Sequence, residues 1–137
     1  MPVVFGDAVA VIARRLRIDL AARDEPYADG VTVGTRTPDD REPHNGPTPL
    51  VVVTQDGPGT IQQRANSRAT IRLSVWHHTE DDAYDLASLA LGLAAEYRGP
   101  IVRHARPSLS PARTVDPDTG EPMAWATVLV NVAPRHI

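Results

Sequence analysis

The chain has 137 residues, enough for one domain with a real core, and an apolar content of 42% fits a folded rather than a disordered protein. Its 14 basic residues, all of them arginine, stand against 17 acidic ones for a net charge of -3, which argues against a dedicated nucleic-acid binder carrying a basic patch. The lack of cysteine removes disulfide frameworks, thiolate metal sites and cysteine nucleophiles.

No basic region leads into an apolar core at the start of the chain, and no apolar run approaches the roughly 18 residues of a membrane span. A soluble protein without a signal peptide is expected. Phe5, Val9, Ile12, Leu16 and Leu20 follow helical spacing, with Arg14, Arg15, Arg17, Asp19 and Arg23 mostly on other faces. A basic amphipathic helix of this kind could touch a membrane, but packing on a sheet with solvated arginines is its ordinary use.

From Asp24 to Pro49 the chain turns polar, with a short strand candidate at Val31-Thr32-Val33 followed by a long exposed loop at about 36–48. Loops of more than about a dozen residues tend to be functional or disordered, so this one is a candidate contact arm. Leu50 to Thr54 is a continuous β-branched strand, and Asp56-Gly57-Pro58-Gly59 a turn. A polar connection through Gln62, Gln63, Arg64, Asn66, Ser67 and Arg68 leads on.

Ala69, Ile71, Leu73 and Val75 alternate with Thr70, Arg72, Ser74 and Trp76, the period of a half-buried strand. Thr79 then occupies an N-cap position, with Glu80, Asp81 and Asp82 in the first turn where the helix dipole favours acids. Ala83, Leu86, Ala87, Ala90, Leu93, Ala94 and Tyr97 recur at three and four, and Gly99-Pro100 ends the helix. Ile101 to Ala105 should be extended, Pro107 and Pro111 place the next segment at a sheet edge, and Asp116 to Pro122 is a dense turn signal. A closing strand follows, in which Ala126, Val128, Val130 and Val132 alternate with Trp125, Thr127, Leu129 and Asn131. The expected fold is α+β: a mixed, mostly antiparallel sheet of four to five strands with two helices packed on it, in a single domain over 1–137.

Chemistry-bearing patterns are scarce. His77 and His78 would point to opposite faces of a strand, and no H-x-H or H-E-x-x-H spacing completes a metal site. Asp116, Asp118, Gly120 and Glu121 lack the regular ladder and distal glutamate of a calcium loop. Glu80, Asp81, Asp82 and Asp85 read as helix-start charges rather than an acid-base pair. No nucleophile elbow, phosphate loop or dinucleotide turn is present, so neither catalysis, nor a cofactor, nor a metal is expected. Arg64, Arg68, Arg72, Arg103 and Arg106 could gather on neighbouring strands as a basic strip for phosphate or for an acidic partner, against the alternative of dispersed, solvated arginines. Trp76 and Trp125 fall on the strand face opposite the aliphatic stripe, where they either anchor an interface or are covered by the opening helix or the long loop.

In this order and at this length, the arginine-rich opening helix, Gly30-Val31-Thr32-Val33, Leu50 to Thr54, Ala69 to Trp76, Thr79 to Ala87 and Asp116 to Pro122 before the Trp125 to Val132 strand resemble the tail terminator proteins of long, non-contractile-tailed bacteriophages. The resemblance covers most of the chain. It implies a structural virion assembly protein, not an enzyme: a homo-oligomeric ring, usually a hexamer, that docks on the last ring of the tail tube protein, stops its polymerisation and meets the head-tail connector protein. The expected place is the head-proximal end of the virion tail, reached from the host cytoplasm during assembly. DNA would pass through the lumen without specific binding, and no membrane is involved. A head-tail connector or tail-completion subunit is the nearest alternative, and a small nucleic-acid-binding α+β domain a more distant one. Candidate partner contacts are Arg36, Asp39, Asp40, Arg41, Glu42, Arg64 and Arg68, on the two longest polar connections.

Overall fold

The alternation through Ala69–Val75 builds the middle of the sheet, and everything else is arranged about it. In a computed structural model of the chain, residues 2–38, 41, 46–62 and 66–137 are described. The strands are β1 (Val3–Phe5), β2 (Thr32–Gly34), β3 (Leu50–Gln55), β4 (Thr60–Gln62), β5 (Asn66–Trp76), β6 (Val102–Val115), β7 (Pro122–Val132) and β8 (Pro134–His136). The helices are α1 (Ala8–Ala21) and α2 (Glu80–Ala95), with a 3-10 turn at Pro26–Ala28.

The main sheet runs β2-β3-β5-β7-β6, with β4 paired to β5 beside that path, and it is antiparallel except where β2 meets β3. This is the expected α+β arrangement, two helices on a mixed sheet. The parallel pair explains the length of the connection after β2. Parallel neighbours cannot be joined by a tight hairpin, and the chain must cross back to the starting end of the sheet before β3 begins.

Three short strands depart from the expectation. Phe5, read into the opening helix, belongs to β1, which pairs with β8 between Val3 and His136. Asp7 is the true N-cap, its Oδ1 accepting from the Ala10 N–H at 3.1 Å. The segment read as a polar connection, Gln62 to Arg68, starts on the last residue of β4, whose residues are all exposed, and ends in the first three residues of β5. A strand with no buried face has no period-two signature to read. Gly59 leads into β4 where a Cβ would sit 2.8 Å from the Arg68 carbonyl oxygen, so the close approach of the two strands depends on the missing side chain.

Both helices lie on one face of the sheet. Ile12, Leu16 and Leu20 from α1 and Ala83, Leu86, Ala87 and Ala90 from α2 join Ile71, Leu73, Val75, Val128 and Val130 in one core, all of them at most 1% exposed. Each large side chain withdrawn from water contributes on the order of 2 kcal/mol. The alanines of α2 carry the other half of the design: a small-residue stripe lets the helix axis approach the sheet with no void beneath it. Thr79 caps α2 as its position predicts, the hydroxyl accepting from the Asp82 N–H at 3.1 Å. No helix among the described residues is long and apolar enough to cross a membrane.

Candidate functional site

The sheet face turned away from the helices has two distinct parts. At one end, Trp76, Leu50 and Val52 form a second small buried cluster against Met123. Arg41, from the β2–β3 connection, covers it with the guanidinium carbon 5.5 Å from the Trp76 ring centroid. Its side chain is 2% exposed although it was expected on an exposed loop. Burial of a guanidinium demands full pairing, and here it is met. Nε donates to Glu121 Oε1 at 3.0 Å and Nη2 to Oε2 at 2.7 Å, a bidentate fork, while Nη1 reaches the Pro47 carbonyl and Nη2 the Thr48 hydroxyl. Arg41 therefore belongs to the interior, where it ties the β2–β3 connection to the β6–β7 hairpin 80 positions later.

That hairpin tip is ordered by its own acid. Asp116 Oδ1 accepts from the backbone N–H of Asp118 at 2.8 Å, and Oδ2 accepts from Trp76 Nε1 at 2.8 Å. Burial by itself would raise the Asp116 carboxyl, but the Trp76 indole and the backbone N–H groups of Asp118 and Thr119 together hold it below its ordinary value. Gly120 closes the turn at φ +76°, a left-handed conformation that suits glycine. The segment is a structural turn, with both carboxylate oxygens of Glu121 engaged by the Arg41 guanidinium.

His77 follows the same pattern. Its Nδ1 accepts from the His78 N–H at 2.8 Å, so in the neutral ring the proton sits on Nε2, which donates to the Tyr27 carbonyl at 2.8 Å. Both ring nitrogens are thereby occupied. Among the described residues no group of three metal-ligating side chains is brought together.

Beyond Trp76 the same sheet face is uncovered. The Arg72 guanidinium lies 4.4 Å from the Trp125 ring centroid while its Nε approaches both carboxylate oxygens of Asp56 at 3.1 Å. Trp125 is half-buried beneath this cation. Trp76 and Trp125, alike in sequence pattern, thus differ in fate: one is sealed by the β2–β3 connection and the other is shielded by a single arginine. Along one margin runs β6, 14 residues long and the last strand of the sheet, with Leu109 50% and Val115 55% exposed.

The nominated contact residues are not brought to one place. Arg36 is exposed just after β2, Arg41 is buried, and Arg68 is exposed on β5, eight positions and roughly 26 Å of strand from Trp76. Asp39, Asp40, Glu42 and Arg64 lie outside the described residues. Of the proposed arginine strip, Arg68 and Arg106 do converge, together with Arg98, His104 and Asn131, which sequence reasoning did not nominate. The i, i+2 spacing of His104 and Arg106 on an edge strand was the available signal. Comparison with protein-family models and with curated proteins gives no match to this chain.

Proposed function

We propose that this chain is a ring-forming structural subunit of a bacteriophage tail, a tail terminator that caps the tail tube, stops its growth and joins the tail to the head connector. The observation that supports this most directly is the asymmetry of the sheet. One face is sealed by both helices into a rigid body, while the other is open past Trp76 and is bordered by the long edge strand β6 with its exposed Leu109 and Val115. A subunit of a closed ring needs two different, mutually complementary surfaces that meet head to tail, and an open face plus an edge supplies two unlike surfaces on one body. In this reading the protein works by position and contact, without substrate or cofactor, at the head-proximal end of the tail.

Light scattering over a range of concentration tests the proposal. A ring is expected to appear as a species of six times the 14.8 kDa subunit mass, or as a concentration-driven rise toward it, and to bind purified tail tubes at one end. A strict monomer that binds no tail tube would overturn it. Binding to the connector ring alone would reassign the chain to the neighbouring ring of the same junction.

A further inference from the structure

The open sheet face carries a feature that the ring reading does not use and that stands independently of it. Arg68, Asn131 and His104 are direct cross-strand neighbours on β5, β7 and β6, so their side chains share one face. Arg106 lies in the next row opposite Leu129. Arg98 joins them after the end of α2, its Nη1 3.5 Å from the carbonyl of Ala105 on the edge strand. These residues line a cleft of about 380 Å³, of a size to hold a small ligand or a short stretch of polymer backbone.

The charge of the cleft is one-sided. Three arginines and a histidine line it, and among the described residues no Asp or Glu does. In a chain of net charge -3 this is selective placement. Arg68, Arg98 and Arg106 form no ion pair among the described residues, as is true also of Arg14, Arg17, Arg36, Arg103 and Arg135, and what sets the three apart is their convergence on one cleft. Gathering unpaired guanidinium groups costs repulsion that a bound anion relieves. The site is also partly preorganised: Nη1 of Arg98 is held by the carbonyls of Ala95 at 3.0 Å and Tyr97 at 2.7 Å, which restricts its guanidinium before any ligand arrives. Asn131 stands in the same row between Arg68 and His104, where its side-chain NH₂ is a neutral donor to an oxyanion beside the guanidinium groups.

We propose that this cleft is a phosphate-binding site. Planar guanidinium forks match phosphate oxygens bidentately, and three of them can engage up to three phosphoryl oxygens or successive phosphates of a polynucleotide. Leu129 adds apolar wall against which a sugar can rest. The overall negative charge of the chain conceals the patch, because the acids lie elsewhere, four of them at the start of α2.

The test is a titration of the full chain with inorganic phosphate, and separately with a short DNA duplex, followed by the arginine side-chain N–H resonances and by calorimetry. Saturable binding is expected, and Arg68→Ala and Arg106→Ala should each weaken it by about tenfold, the loss of one charge-assisted contact. Both residues are exposed, so the fold should survive their removal. Arg103→Ala, an exposed arginine on the same strand but outside the cleft, should leave binding unchanged. If the duplex binds more tightly than phosphate, with log affinity falling against log salt at a slope of about -2 to -3, the source is a polynucleotide backbone; if it binds no more tightly, the source is a free phosphate ester. Shifts that never saturate, or a loss in Arg103→Ala equal to that in Arg106→Ala, would overturn the site.

Discussion

At the scale of single residues, the buried Arg41–Glu121 pair shows most clearly what covers the Trp76 end of the sheet. Two charges taken out of water are stable only together, because each left alone keeps its desolvation penalty and loses its partner. Arg41→Ala and Glu121→Ala are therefore expected to lower the unfolding free energy by about 3 kcal/mol or more each, and the double substitution by less than the sum. Denaturant unfolding of the three variants measures this directly. Single losses under about 1 kcal/mol would mean that the pair is solvated, since that is the range of exposed ion pairs. Glu121 looks like a turn acid and Arg41 like a loop arginine, and nothing in either local sequence announces the other. Their partnership spans 80 positions and exists only once the parallel β2–β3 crossover and the β6–β7 hairpin tip converge.

At the scale of elements, α2 was the most legible part of the chain, since cap, first-turn acids and apolar stripe agree, although the helix ends at Ala95 with Glu96 as its C-cap, before Tyr97 and the expected stop at Gly99-Pro100. Thr79→Ala should cost about 1 kcal/mol and lower the melting temperature by roughly 3–5 °C, with Thr79→Ser largely sparing it. Calorimetry of the two variants decides whether the cap hydroxyl carries the effect. The cap is one-sided: among the described residues Asp82, at the third helical position, makes no hydrogen bond back to the Thr79 N–H. The opposite case is β4, which no alternation of buried and exposed residues announces and which exists through its pairing with β5, with Gly59 permitting the close approach. The β6 strand is intermediate. Its prolines correctly predict an edge, and they coincide with register shifts between Pro107 and Leu109 and between Leu109 and Ala112.

At the scale of the whole molecule, those interruptions bear on how subunits could meet. An unbroken edge would invite open-ended strand addition, whereas a bulged, proline-bearing edge favours side-chain contact of limited extent. Leu109 is central to that margin and half exposed. Leu109→Lys is accordingly expected to leave subunit stability within about 0.5 kcal/mol while abolishing the high-mass species in light scattering. Unchanged assembly would remove the β6 margin from the ring contact. The basic cleft lies on the same open face, so a phosphate-bearing polymer and a neighbouring subunit would have to share that surface without overlapping.

Local order determined much of this protein from sequence alone. Alternation through Ala69–Val75, the Thr79 cap and the helical stripe of α2 identify an α+β body, because the period of buried side chains is set by backbone geometry within a few residues. The tertiary structure decided the rest. Which tryptophan is sealed, where Arg41 goes, and which arginines converge on Asn131 depend on strand order and register, and these are long-range pairings that no window of sequence contains. The same chemistry, an arginine in a polar segment, becomes a buried strut at position 41 and part of an open anion cleft at position 68, because desolvation and neighbouring charge are properties of the folded surroundings rather than of the residue.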